Sequence, residues 1–174
     1  MGTRAWAYMS AAIIVIFGVV LLVVAGGPSG QAIGPRLQHF LDLSGRLFLS
    51  LGLAVAIGLE REVHHKPAGV RTIAMVGVGA CVFGLIGEGI AGQSDAFSRI
   101  VQGVVTGIGF LGAGTIIKEQ FHVEGLTTAA TLWAAAGVGL ACGIGLYQLA
   151  VLSTFIIFLV LVVLRGLERS LRAL

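Results

Sequence analysis

Long apolar runs constrain this chain of 174 residues more than any other sequence feature. A helix needs about 20 mostly apolar residues to cross the hydrocarbon core of a membrane. Four runs approach or exceed that length, at residues 5–26, 70–92, 100–117 and 146–164. Two shorter or more polar runs, 43–59 and 127–145, are expected to span as well. Because no segment alternates like a membrane β-strand, the sequence predicts an all-α, polytopic transmembrane bundle of about six helices.

The composition supports a membrane protein and excludes other classes. Charged residues make up 11% of the chain, against roughly 25% in soluble domains, and the mean hydropathy is +1.01. The formal net charge is +3, but no basic stretch is interleaved with aromatic residues. We therefore expect membrane lipid as a partner and no nucleic acid.

The 11 basic residues predict the orientation of the bundle, since loops rich in Lys and Arg face the cytoplasm. With a cytoplasmic N-terminus, eight fall inside: Arg4, Arg61, Lys66, Arg71, Lys118, Arg165, Arg169 and Arg172. Three fall in the outside loops: Arg36, Arg46 and Arg99. Both termini are therefore expected in the cytoplasm.

The chain divides into three predicted parts. Residues 1–27 form an N-terminal transmembrane helix, residues 40–165 the main transmembrane domain, and residues 166–174 a short cytoplasmic tail. The first apolar run has a second interpretation as a cleaved signal peptide, because Arg4 precedes it and small residues follow it. Either interpretation leaves the other five helices in the same orientation.

A run of glycines lies within the fourth predicted helix. Gly107, Gly109 and Gly112 have the spacing of the dinucleotide-binding fingerprint. That fingerprint needs a preceding strand and a following helix within a soluble parallel sheet. Apolar residues flank the run on both sides, which argues against a nucleotide site.

Two interpretations of this run stay open. Glycines let membrane helices approach closely, and Gly103 with Gly107, like Gly139 with Gly143, has the small-xxx-small spacing that favours such packing. Alternatively, the helix breaks between Gly107 and Gly114, and its freed backbone groups line a polar cavity. The run is thus either a helix-contact surface or part of a cavity.

Charges near the membrane are candidate functional groups, because a charged side chain at the bilayer centre costs roughly 2.5–3.5 kcal/mol. Glu60, Arg61 and Glu62 end the second predicted helix, and Arg71 and Thr72 open the third. We expect the opposite charges to pair across this hairpin and fix its geometry.

The other polar candidates lie near helix ends. Glu88, near the outer end of the third helix, either is interfacial or faces inward as a ligand for a cation or a proton. Asp95 and Arg99 are predicted in the external connection that follows. Thr127 and Thr128 open the fifth helix, where hydroxyl groups hydrogen-bond between helices.

No metal or catalytic site can be assembled from the sequence. His64 and His65 are adjacent and, with His122, are expected to be solvated loop residues, since no cysteine or carboxylate cluster completes a zinc site. Cys81 and Cys142 fall inside predicted helices and are expected to pack as small apolar residues. We expect no enzyme activity and no cofactor.

Four ordered motifs together resemble the MgtC/SapB family of bacterial inner-membrane proteins. They are GLERE at 58–62, PAGVRT at 67–72, GIGFLGAG at 107–114 and GLTTAATLW at 125–133. The resemblance implies a five-helix core with an additional first helix, lacking the soluble domain that many members carry after the last helix. Members commonly have Asp-Pro ahead of the fourth helix, whereas Asp95 here is followed by alanine.

The resemblance also implies a function. Family members are linked to growth at low magnesium, to acid adaptation and, in pathogens, to survival inside macrophages. They are discussed as modulators of the F-type ATP synthase and of membrane potential. The alternative is a small transporter or channel for Mg²⁺ or protons through predicted helices two to five, with Glu60, Glu88 or Asp95 as ligands. Homo-oligomerisation is a further expectation.

Overall fold

The computed structural model describes residues 35–89, 94–119 and 122–165. The predicted first helix, its possible cleavage and the predicted tail at 166–174 lie outside these residues.

Five helices form the described part of the chain: α1 Pro35–Val63, α2 Val70–Gly89, α3 Ser94–Ala113, α4 Leu126–Gly143 and α5 Tyr147–Leu159. A π-helical stretch, Val160–Leu164, continues α5 directly. Each of the five is long and apolar enough to cross a membrane when α5 is counted together with this stretch, as Tyr147–Leu164. The predicted all-α polytopic bundle is confirmed.

Two helices begin earlier than the sequence predicted. α1 starts at Pro35, because proline suits the first helical turn, where its missing N–H is not needed. Arg46 therefore lies inside α1 and not in an outside loop. α3 starts at Ser94, so Asp95 and Arg99 belong to the helix instead of the external connection. The carboxylate of Asp95 in the first turn also suits the positive end of the helix dipole.

A small antiparallel ribbon joins α3 to α4, a feature that the sequence analysis did not predict. β1 spans Ile117–Glu119 and β2 spans His122–Glu124. Gly125 follows with a left-handed backbone, φ 88°, which glycine adopts without steric cost. A side chain at this position would also overlap the carbonyl group of Thr115.

Helix α4 lies at the centre of the bundle and packs against the other four described helices. In its apolar window 56% of the residues are buried, against 11% in α3. A Cβ atom added at Gly139 would overlap the backbone oxygen of Gly77 in α2, and one at Gly143 would overlap that of Cys81. The predicted close packing is therefore confirmed for Gly139 and Gly143.

Candidate functional site

Charged side chains gather at the end of the bundle where α1 stops and α2 begins. We call this group the Arg61 cluster; its members are Glu60, Arg61, His64, Thr128 and Arg165. The side chains of Glu60 and Arg61 are only 2% and 1% exposed. Charges buried to this extent are costly unless they are paired and hydrogen-bonded. The contacts within the cluster therefore matter for stability.

The two buried charges find partners on other helices. Arg61 Nη2 donates a hydrogen bond to Thr128 Oγ1 of α4 at 2.6 Å. Arg165 Nη1, beyond the π-helical stretch, donates to Glu60 Oε1 at 2.5 Å. Glu60 Oε2 and Arg61 Nε are buried without a hydrogen-bond partner in the described part of the chain. The cluster thus joins α1 to α4 and α5 and retains one free acceptor and one free donor.

His64 folds back onto α1. Its Nδ1 lies 2.7 Å from the backbone oxygen of Glu60 and 3.2 Å from Glu60 Oε1. His65, by contrast, is exposed. The prediction of a solvated loop histidine is therefore wrong for His64, because the helix end supplies it with acceptors, and holds for His65. The side chain of His122 lies outside the described residues.

The sequence predicted that opposite charges hold the α1–α2 hairpin together. The structure shows a different contact. Glu62 Oε2 instead accepts a hydrogen bond from the backbone N–H of Val70 at 3.1 Å. This contact satisfies one of the free N–H groups at the start of α2. Arg71 and Thr72 are exposed, and Arg71 forms no ion pair with any described residue. The carboxylate therefore fixes the hairpin through the backbone.

A second polar group, the Arg46 cluster, lies at the opposite end of the bundle. Its members are Asp42, Arg46, Glu88, Tyr147 and the carbonyl of Gly143. The guanidinium of Arg46 pairs with Asp42 at 2.9 Å and with Glu88. Its Nη1 also donates to the carbonyl oxygen of Gly143 at 3.0 Å. The guanidinium carbon, Cζ, lies 5.9 Å from the centre of the Tyr147 ring. Arg46 thus links α1 to α2 and to the α4–α5 junction.

The Arg46 cluster bears on the two interpretations of Glu88. The side chain of Glu88 is 46% exposed and is paired with Arg46, which favours the interfacial position over an inward-facing one. Arg46 was not predicted as a functional residue, because it was counted among the outside charges although the predicted run 43–59 contains it. The available signal was the spacing from Asp42 to Arg46, since residues four apart meet on one face of a helix.

An apolar layer separates the two clusters. Glu60 follows Arg46 by 14 residues in α1, a rise of about 21 Å. Between Ser50 and Glu60, the buried residues of α1 are all apolar. Leu53, Ala54 and Ile57 are at most 3% exposed, and Ile73 of α2 and Leu132 of α4 are equally well buried. The interior of the described bundle is therefore filled mainly by apolar side chains at this level, and the buried hydroxyl of Thr131 in α4 donates to the backbone oxygen of Thr127.

The glycine run belongs to an unbroken helix. α3 extends through Ala113, and the N–H of Gly114 still donates to the carbonyl oxygen of Phe110 at 3.1 Å. The predicted break from Gly107 to Gly114 is wrong, because backbone hydrogen bonding continues up to the point where the ribbon begins.

Close packing within the described chain is also limited to part of the run. A Cβ atom added at Gly112 would lie 3.4 Å from the Cβ atom of Ala129 in α4. Cβ atoms added at Gly103, Gly107 or Gly109 would meet no described atom within 4 Å. Close packing is therefore observed at Gly112, whereas at Gly107 and Gly109 no described residue supplies it and the helix-contact interpretation stays a prediction.

The remaining candidates are mostly exposed. Asp95 and Arg99 lie on the surface of α3 and form no ion pair with described residues. Thr127 is exposed, and its carbonyl oxygen accepts a hydrogen bond from Thr131 within the same helix. Of the two predicted threonines, only Thr128 makes the hydrogen bond between helices.

The bundle and its motifs match a known family. The model of the MgtC family covers residues 47–170. The chain belongs to the MgtC family. This match contains the whole Arg61 cluster and the glycine run of α3, whereas Asp42 and Arg46 precede it.

Curated proteins named MgtC and SrpB are similar in sequence to this chain. Protein MgtC of Brucella abortus (strain 2308) is 47% identical over 135 residues, which are 78% of this chain and 55% of that protein. Protein MgtC of Salmonella typhimurium (strain LT2) is 44% identical over 119 residues, or 68% and 51% of the two chains. Protein SrpB of Synechococcus elongatus is 40% identical over 143 residues, or 75% and 79%. This chain spans about half the length of the MgtC relatives. No solved structure gives a significant match.

The described residues of this MgtC-family bundle include no group of three or more His, Cys, Asp or Glu placed to hold a metal ion. Cys81 and Cys142 are free and buried, in agreement with a packing role. Mg²⁺ as a signal or a substrate stays a prediction.

Proposed function

We propose that this chain is a non-enzymatic inner-membrane protein that adjusts ion and membrane-potential homeostasis by contacting another membrane complex. The family resemblance suggests a role at low magnesium or in acid, with the F-type ATP synthase as candidate partner. The observation that carries the proposal is the contrast between a closed interior and a glycine face of α3 that no described residue covers.

The closed interior opposes conduction in this conformation. An ion that moves from the Arg46 cluster to the Arg61 cluster would have to leave its water at the level of Leu53 and Ile57, which are buried among apolar side chains. Removing a charge from water without a compensating partner is strongly unfavourable. This arrangement supports a modulator over a pore.

The open face of α3 suits contact with another membrane helix. Gly103 and Gly107 leave backbone accessible where no described residue lies, and close packing drives helix association in lipid. Gln102 and Thr106, which are also exposed, lie on the same side and add hydrogen-bonding groups. The face thus supplies both close approach and polar contacts.

The test reconstitutes the full chain with purified F-type ATP synthase in liposomes and measures ATP-driven proton pumping. We expect this chain to lower the pumping rate and Gly107→Leu to abolish that effect, because the added side chain blocks close approach. Leu152→Phe is the matched control, since Leu152 is 57% exposed on α5. An unchanged pumping rate with the natural chain would rule out this partner. Equal losses in both variants would rule out a specific role for α3.

The alternative function is transport of Mg²⁺ or protons through α1–α4. One observation favours it: the buried carboxylate of Glu60 keeps an oxygen, 3.9 Å from Arg61 Nη1, without a hydrogen-bond partner among the described residues. The chain alone in liposomes should then carry a Mg²⁺ or proton flux that Glu60→Gln removes and Glu124→Gln, an exposed control on the ribbon, retains. That result would refute the pure modulator, whereas the absence of flux would refute transport.

A further inference from the structure

An open cleft of about 410 Å³ lies between α2, the end of α3 and α4. We call it the Thr72 cleft. Its volume is in the range of small-molecule sites, roughly 300–1,000 Å³. The lining includes Thr72 and Val76 of α2, Phe110, Leu111 and Ala113 of α3, and Leu132 of α4.

The cleft lies at the Arg61 end of the bundle, between the start of α2 and the end of α3. We call the part of the cleft next to these helix ends, near the membrane surface, its mouth. Val76 follows Val70 by six residues, which places it about 9 Å deeper. This depth reaches from the headgroup region into the acyl chains. By the charge bias of the loops, this end faces the cytoplasmic leaflet.

The size of the cleft favours a narrow occupant. A helix is about 10–12 Å wide with its side chains and would fill roughly 700 Å³ or more over a depth of about 9 Å. The cleft has about 410 Å³, and its lining is almost entirely apolar. One acyl chain of a lipid suits this volume and this lining, whereas a helix would lie only partly inside the cleft.

Two cations are close in sequence to residues that line the cleft. Arg71 directly precedes Thr72, and Lys118 follows the cleft residue Thr115 by three positions. Both cations are exposed, and neither forms an ion pair with a described residue. Glu124 projects from the other face of the ribbon, because it and Lys118 occupy alternate positions of the ladder. Arg71 and Lys118 therefore offer exposed positive charge, complementary to a phosphate, on the two elements next to the cleft residues Thr72 and Thr115.

We propose that the Thr72 cleft binds one acyl chain of an anionic phospholipid, whose phosphate is held by Arg71 and Lys118. The acyl chain leaves the apolar bilayer for the apolar cleft, so apolar contact gives little preference between lipids. The preference comes from the cations, each of which favours an anionic lipid by about fivefold.

A tryptophan in the cleft tests this proposal. Phe110→Trp places a fluorophore there, in a background in which Trp6 and Trp133 are replaced by Phe. The full chain is reconstituted in bilayers with brominated phosphatidylglycerol or brominated phosphatidylcholine, which quench tryptophan on contact. We expect a binding ratio of anionic to zwitterionic lipid of at least about fivefold at Phe110→Trp. The ratio should be close to one at the control position Leu152→Trp.

Substitutions locate the source of the preference. Arg71→Gln combined with Lys118→Gln should return the ratio at position 110 to about one, while the exposed control Arg99→Gln leaves it unchanged. Ala113→Phe should have the same effect as the double variant by filling the cleft; Ala113 is exposed, so the core is spared. A ratio near one in the reporter protein, or one that survives neutralisation of both cations, would overturn the proposal. Absence of quenching by either lipid would assign the cleft to a protein contact and also overturn it.

Discussion

Helices α3 and α4 carry the same small-residue spacing, Gly103 with Gly107 and Gly139 with Gly143, in opposite environments. In α4 both glycines lie against backbone oxygens of α2, whereas in α3 both face no described atom within 4 Å. The spacing makes close approach possible but does not select the helix that uses it.

The selection follows the polar contacts at the helix ends. Arg61 of α1 binds Thr128 near the start of α4, and Arg46 of α1 binds the carbonyl of Gly143 at its end. Neither the Arg61 nor the Arg46 cluster includes a residue of α3. We infer that two arginines of one helix hold α4 in the centre, while α3 is attached mainly through apolar packing.

The largest expected effect comes from filling the α4 contact. Gly139→Leu should lower the free energy of unfolding by about 3 kcal/mol or more, because the added atoms meet rigid backbone of α2 and cannot repack. Denaturation of the purified protein in mixed micelles measures this change. The matched control Gly107→Leu should not lower monomer stability, because the site has space and leucine favours the helix. Equal losses would remove the distinction between the helices.

The second-largest effect concerns the hydrogen bond from Arg61 to Thr128, which fixes the start of α4. Arg61→Met should cost about 2 kcal/mol, since it removes a charged hydrogen bond and leaves the buried hydroxyl of Thr128 without its donor. Arg99→Met, an exposed control, should stay within about 0.5 kcal/mol. A double-mutant cycle with Thr128→Val isolates the pair. Strict additivity would show that the contact does not anchor α4.

Hydrogen exchange should separate the two helices without any substitution. Amides in the middle of α3 should open at a lower free energy than those of α4, because local stability follows buried contacts and far less of α3 is buried. Exchange of the protein in detergent, read by mass spectrometry, measures this difference. Equal protection in monomeric protein would contradict the peripheral attachment of α3.

The smallest effect should be an increase in the free energy of unfolding. Gly107→Ala should stabilise the monomer by about 0.5–1 kcal/mol, since alanine favours the helix and the site has space. Gly139→Ala should destabilise it. A loss of stability at Gly107 would indicate that this face is packed in the monomer.

The sequence predicted the helices better than the contacts. Apolar runs set the membrane spans, but the start of α1 at Pro35 was missed because the polar first turns resemble a loop. The motifs identified Glu60, Arg61 and Thr128 individually. The partner of Glu60, Arg165, is 105 residues away, and no local pattern predicts a pair at that separation.

By itself, the sequence determined the class of protein, the membrane-spanning runs and the family. These follow from hydrophobicity and from ordered motifs, which are local properties of the chain. Only the tertiary structure decided which charges are buried together, which glycines are packed and where a cleft lies between the helices. Those properties depend on which helix faces meet in space, and helices of nearly uniform apolar surface do not specify their neighbours by hydrophobicity alone.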